Sequence, residues 1–426
     1  MTDLPPPALA PILPDLTRVF ARIGVTSFGG PAAQIALMHR ELVERRGWLG
    51  EAEYLRALSF CMMLPGPEAM QLATYAGWRL HGTVGGLIAG LLFVLPGAAV
   101  VLALAMVYAA FGEVPLVAAL FLGVQAAVLA IVLHALLRVA RRALASRGHW
   151  IIAGLAFAGL FLFNLPFPVI IAAAALWGWI TARGPAFPPG APAPGLWKGA
   201  TRQAALWGAV WLVPLAALGL IEGGLLWQIG LFFSQLAVFT FGGAYAVLAW
   251  MTQAVVQDKG WLTLPQMIDA LGLAETTPGP LILVTEFVGY MAGHRAGGLW
   301  MGVAGAVVAL WMTFAPCFLW IFAGAPFIER LARAPRLSGA LAAITAAVVG
   351  VIANLSIWFG LHVLFARLTV WKAGPLHLAL PDPTSLDPLA LVLGLLAGWL
   401  ILVRHWGLVP VLALCAALSA AVSLVT

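Results

Sequence analysis

The sequence predicts an all-α polytopic membrane protein with two inverted-topology repeats of about six hydrophobic segments each, their helices broken or re-entrant at FGG and PGP motifs. Three observations carry this prediction. Hydrophobic residues make up 63% of the 426 positions and charged residues 9%, with a mean hydropathy of +1.01. Apolar runs of that length and number need a bilayer around them. The two halves share motifs in one register. Each half also interrupts its apolar runs at matching places.

Taken in order, residues 1–15 are Pro-rich, lack a basic leader and read as a disordered tail. Apolar segments then fall near 16–38, 54–80, 84–111, 115–137, 150–163 and 167–182, which together make the first repeat, 16–182. A Pro/Gly run over 184–195 stops any regular helix and, with one further segment near 204–222, forms a linker over 183–225. The second repeat, 226–426, has segments near 226–251, 266–292, 297–325, 337–364, 387–403 and 406–425.

The internal duplication is read from shared offsets. Phe28-Gly29-Gly30 recurs as Phe241-Gly242-Gly243, Gly47-Trp48-Leu49 as Gly260-Trp261-Leu262, and Pro65-Gly66-Pro67 as Pro278-Gly279-Pro280, all at an offset of 213. The same offset pairs His81 with His294 and Gly85 with Gly298, and after a short insertion an offset of 220 pairs Pro96 with Pro316. Ungapped correspondence over this distance marks a repeat. A single linking segment between even-numbered repeats inverts the second against the first, the plan of many secondary transporters.

Basic residues refine the topology. If every segment crosses fully, Arg40, Arg45 and Arg46 fall on the less basic face. If the FGG and PGP segments enter and leave on one side, fifteen basic residues share the cytoplasmic face and four, Lys259, Arg295, Arg367 and Lys372, lie opposite. The second arrangement obeys the positive-inside rule better. Both place the N-terminus in the cytoplasm and the C-terminus outside it.

The breaks carry the chemistry. Two prolines around a glycine end a helix, and the second proline suits the start of a new one. A helix N-terminus inside the membrane offers unpaired N–H groups and the positive end of a dipole to an anion. The plain alternative is a kink that relieves packing, and close helix crossing at the FGG glycines. The predicted substrate-binding set is Ser27, Gly29, Gly30, Pro65, Gly66, Pro67, Thr240, Gly242, Gly243, Thr277, Pro278, Gly279 and Pro280, with Arg22 five residues before Ser27. Glu68, Glu275 and Glu286 are the candidate coupling carboxylates, because ionisable groups inside a membrane are costly and tend to serve function. Trp48 and Trp261 fit an interfacial aromatic belt.

Other classes are weakened by what the chain lacks. Cys61, Cys317 and Cys415 are isolated in apolar runs, so no metal site or cofactor is expected. No phosphate loop, zinc-protease or nucleophile-elbow motif occurs, which argues against an ATP-driven pump or an enzyme. No nucleic-acid partner is expected; the lipid bilayer is, and a homodimer is left open.

Phe28-Gly29-Gly30-Pro31, Glu44-Arg45-Arg46-Gly47-Trp48-Leu49, Leu64-Pro65-Gly66-Pro67 and Phe93-Val94-Leu95-Pro96-Gly97, with their second-half counterparts, resemble the chromate transporter family, in its long two-domain form. The resemblance runs from about Leu16 to Val425. It implies export of chromate or a similar oxyanion across a bacterial inner membrane, driven by an ion gradient or membrane potential and conferring chromate resistance; the inverted repeats make alternating access the expected mechanism. Two features depart from the family pattern: Glu68 follows the first PGP and Glu275 precedes the second. Transport of another anion such as sulfate, and a non-transporting membrane scaffold, are the alternatives.

Overall fold

The computed structural model describes residues 11–112, 114–184, 196–221, 224–241, 243–328, 334–374 and 376–425. Gly242 of the second FGG motif, residues 1–10 of the tail, 185–195 of the linker, and the basic residues Arg330 and Arg333 lie outside the described residues. Helices dominate. The first begins inside the expected tail: α1 (Leu13–Thr26) has Pro14 in its first turn, where a fixed φ suits helix entry.

Every FGG or PGP segment is two half-helices, as expected. In the first repeat α1 breaks at Ser27–Gly29 before α2 (Gly30–His39), and α3 (Glu51–Cys61) breaks at the first PGP before α4 (Glu68–Phe111). α5 (Pro115–Ala143), α6 (Arg147–Phe161) and α7 (Phe167–Thr181) complete it, and α8 (Leu196–Ile221) is the link. The second repeat runs α9 (Leu225–Phe239), α10 (Ala244–Gln253), α11 (Leu264–Thr276) and α12 (Val284–Gly324), then α13 (Pro335–Leu364), α14 (Pro388–Leu402) and α15 (Leu408–Val425). Among the described residues, five helical runs are long and apolar enough to cross a membrane: Glu68–Phe111, Pro115–Ala143, Trp197–Ile221, Leu281–Phe327 and Pro335–Leu364.

Three features depart from the sequence reading. Residues 365–386 fall between the expected apolar segments, yet β1 (Leu368–Ala373) and β2 (Leu376–Pro381) form an antiparallel hairpin with Lys372 opposite His377. Thr369, Val370 and Trp371 favour a strand, and Gly374, at φ +60°, makes the turn. Second, α4 and α12 are each interrupted, at His81–Gly82 and Gly297–Gly298, with near-identical backbone angles. His81 therefore corresponds to Gly297, not His294, and Gly82, not Gly85, to Gly298; the offset is 213 at the PGP motifs, 216 at the turn and 220 at Pro96 and Pro316, so the insertion is divided between the two sides of the turn. Third, the second PGP does not lead straight into an α-helix, because Pro280 is extended and a 3₁₀ turn, Leu281–Leu283, intervenes.

The interruptions are tight turns. An ideal Cβ on Gly77 would sit 2.2 Å from the Gly85 carbonyl oxygen, and one on Gly289 would sit 2.4 Å from that of Gly305. Each PGP half-helix thus folds back on the long arm that follows it. Only glycine permits that backbone approach, and in a bilayer such packing replaces the hydrophobic drive.

The chain forms two compact units, and they are not the two repeats. Unit 1 comprises Met1–Ala105, Gly184–Ala244 and Thr277–Pro335; unit 2 comprises Met106–Arg183, Tyr245–Thr276 and Arg336–Thr426. Each draws on both halves of the sequence.

Within unit 1 the long arms of α4 and α12 run antiparallel. Gly86 packs against Phe322 and Gly90 against Phe318, so advancing four residues along one arm retreats four along the other. Repeat inversion is thus visible in side-chain register. The hairpin turn of α4 lies at one face: His81 Nε2 donates to the Pro11 carbonyl, Arg79 pairs with Glu53 at 2.6 Å, and His39 Nε2 meets Glu51 at 2.7 Å. The start of α1, the end of α2, the start of α3 and the end of the first PGP half-helix therefore share one face. In the first repeat the FGG segment and the PGP segment thus each begin and end at that face. Arg46 and Arg45 both donate to Glu41. Burial raises the Glu41 carboxyl pKa, but these hydrogen bonds and charges prevail and hold it below the usual range.

Candidate functional site

The half-helix 68–80 spans about 20 Å at 1.5 Å per residue, so from the face marked by Arg79 the first PGP lies beyond the midplane of a roughly 30 Å apolar core. At that depth freed backbone groups need partners. Unit 1 supplies them reciprocally. Gly66 N–H donates to the Thr240 carbonyl at 2.8 Å, and Gly279 N–H donates to the Ser27 carbonyl at 2.8 Å. Each PGP glycine thus completes the FGG break of the other repeat, and the two bonds are related by the offset of 213.

The same exchange recurs one layer out. An ideal Cβ on Gly97 would lie 2.2 Å from the Pro278 carbonyl oxygen, and Cys317, which equals Gly97 plus 220, places its sulfur 3.0 Å from an ideal Cβ on Gly66. Gln34 Nε2 donates to the Gly279 carbonyl at 2.6 Å and to that of Ser27 at 3.3 Å. Gln71 Nε2 donates to the Pro65 carbonyl at 2.7 Å.

This arrangement sorts the predicted residues. Gly66 and Gly279 are buried at positive φ (+118° and +91°) with their N–H groups already spent. Pro65, Pro67, Pro278 and Pro280 contribute carbonyls: Pro67 accepts from Gln71 N, and Pro280 from Leu283 N. Thr277 is buried. The Thr240 hydroxyl is returned to the Leu236 carbonyl at 2.6 Å, whereas Ser27 Oγ is buried without a partner among the described residues. The open part of the crossing is the FGG side. Gly29 is exposed, and beside Gly30 and Gly243, at φ +76° and +99°, no atom lies within 4 Å of an ideal Cβ.

The charged candidates separate. Arg22 lies exposed on α1, one turn before Thr26, and among the described residues its side chain makes no hydrogen bond or ion pair. Glu68 opens α4, where its carboxylate would compete with an anion for the same helix dipole. Glu286 is buried, with Oε2 unmatched among the described residues. Glu275, in unit 2, accepts from Tyr245 Oη at 2.6 Å. Asp269 nearby accepts from Tyr108 and Gln125. Sequence reading missed Gln34, Gln71, Gly97, Cys317 and Tyr245. The glutamines carried a signal: neutral polar groups in apolar runs, seven residues past Ser27 and four past Pro67.

Flanking loops repeat as well. Gly47 and Gly260 sit at φ +60° and +62°, with Arg46 stacked over Trp48 and Lys259 over Trp261. A cation on an indole ring suits the membrane interface.

Discontinuous helices that cross between two inverted repeats define a multi-pass membrane protein built on a transporter plan. The chain belongs to the chromate transporter family, whose model matches residues 14–179 and 227–421. It is 33% identical over 402 residues to a probable chromate transport protein of Synechococcus elongatus, covering 91% of this chain and 95% of the relative. It is 32% identical to chromate transport proteins of Cupriavidus metallidurans, covering 80% of each chain, and of Pseudomonas aeruginosa, covering 84% and 82%. No solved structure matches.

Proposed function

We propose that the protein exports chromate across the inner membrane by alternating access, with its N-terminus in the cytoplasm, and so confers chromate resistance. The observation that carries the reading is the reciprocal crossing of Gly66 with Thr240 and Gly279 with Ser27. It ties each PGP break to the FGG break of the other repeat while leaving Gly29, Gly30 and Gly243 open. A tetrahedral dianion then meets helix N-termini and the unmatched Ser27 hydroxyl, with no fixed buried cation among the described residues to trap it. The PGP glycines act as the frame, and Gly29, Gly30 and Gly243 supply the binding edge. Arg22, exposed on the approach along α1, draws the anion in.

Of the acidic residues, Glu286 keeps a bare buried oxygen while Glu275 is tied to Tyr245. Glu286 is therefore the coupling carboxylate in this reading. The names of the relatives support chromate as cargo; sulfate has the same charge and shape, so backbone donors alone discriminate poorly.

The test is uptake of radiolabelled chromate into inside-out vesicles under an imposed pH gradient or potential, with excess sulfate as competitor. Time-dependent uptake above that of vesicles lacking the protein is expected. Uptake of sulfate but not chromate would reassign the cargo, and uptake of neither would favour a scaffold.

A further inference from the structure

Unit 2 contains a cavity of about 360 Å³, open on one side, that the crossing in unit 1 does not use. Four amides line it: Asn164, Gln253, Gln257 and Asn354, with no charged residue among its walls. Asn164 ends α6 at φ +49°, a conformation asparagine tolerates, and its Oδ1 accepts from Gln253 Nε2 at 2.6 Å. Asn354 and Gln257 make no side-chain hydrogen bond among the described residues. Asn354 lies ten residues before the end of α13, about 15 Å down the helix. An amide at that depth of an apolar helix is costly unless it borders water.

The floor of the cavity is Leu355, which is 3% exposed. Leu355 also lines a small enclosed pocket with Val128, Leu248, Tyr245 and Glu275. Along the chain, Tyr245 comes two residues after Gly243 and Glu275 three before Pro278. One leucine side chain thus separates an open polar inlet from the residues flanking the second pair of breaks.

The ends of unit 2 differ in charge. Arg138, Arg141, Arg142 and Arg147 cluster where α5 meets α6, and Arg183 and Arg336 lie at the far ends of α7 and α13 from the cavity. The cavity sits where α6 ends and the β-hairpin begins. By the positive-inside rule the inlet opens away from the cytoplasm.

We propose that this cavity is the outer vestibule of the transport path, a neutral-amide site for a tetrahedral oxyanion, and that Leu355 is the apolar constriction closing it. The proposal rests on the transport reading above. Amide NH2 groups donate hydrogen bonds to a dianion without adding charge, so they hold it loosely, as release requires. An apolar ring closes such a path by excluding water.

Asn354→Cys in the full chain, treated in spheroplasts and in inside-out vesicles with an impermeant anionic methanethiosulfonate, tests this. The parent protein, whose three cysteines are buried, is the blank. Gln257→Cys, at the exposed rim, serves if Asn354→Cys does not accumulate. Expected are modification from the outer side, a several-fold slowing of it by excess chromate or sulfate, and loss of flux once modified. No reaction, reaction from the cytoplasmic side alone, or a rate indifferent to both oxyanions would overturn the vestibule. Chromate flux in the parent, measured in parallel, keeps the two readings apart: flux without protection removes the vestibule alone, and no flux removes the transport reading and the vestibule with it.

Discussion

At Gly66 the backbone holds φ +118° and an added methyl group would meet Gln71 Nε2 at 2.8 Å and the Cys317 sulfur at 3.0 Å. Side chains other than hydrogen are strained in that region by about 1–3 kcal/mol before any collision. Gly66→Leu is expected to insert and accumulate yet reduce chromate uptake to the level of vesicles lacking the protein; retained uptake would remove the crossing as the functional centre. Gln34 makes a different point. Its amide is a donor to the Gly279 carbonyl deep in unit 1, and Gln34→Leu removes that donor with little change in volume. A carbonyl left unmatched there costs about 1–3 kcal/mol, so a lower melting temperature in detergent is expected. An unchanged midpoint would mean that another group takes over the carbonyl. In the sequence each glutamine is only a neutral polar group in an apolar run, a signal with no motif around it. Their meaning lies in what sits opposite, 245 residues away in the case of Gln34 and Gly279.

The half-helix is the element that gives this fold its character. Proline and glycine spacing made every break legible, and the charge count favoured re-entry; the Arg79–Glu53 pair brings the two ends of the first PGP segment together. The pair itself is largely exposed and contributes at most about 1 kcal/mol, so its value is as a marker of position. Cysteines introduced singly at Glu53 and Arg79 should react with an impermeant maleimide from the same side of the membrane. Reaction from opposite sides would require the PGP segment to cross. What the sequence hid at this scale were the turn positions. Matching His81 to His294 is a fair alignment of letters, but the backbone folds at Gly82 and Gly298, and glycine-rich stretches on both sides gave several equally good registers. The β-hairpin was hidden for another reason: six-residue strands beside thirty-residue helices leave almost no periodic signal.

For the whole molecule, the duplication and its inversion were legible from motif offsets and from the odd number of segments. The division into compact units was not, because each unit is assembled from pieces of both repeats and nothing in local composition marks Ala105 or Ala244 as a boundary. Inversion also assigns a purpose to α8. Much of this 26-residue helix is exposed, Leu220 and Ile221 at 88% and 86%, and its anchors to the rest of unit 1 include Trp211 Nε1 to Ser234 Oγ and Trp311 Nε1 to the Val210 carbonyl. At about 39 Å it is long enough to carry the chain through the bilayer once. Removing α8 should send a reporter fused to the C-terminus to the opposite compartment and abolish flux; an unmoved reporter would show that the second repeat orients itself. By its single passage α8 acts as a ferryman: it decides on which bank the second half comes ashore, and two halves landing on the same bank would face each other heads to heads, never able to clasp hands.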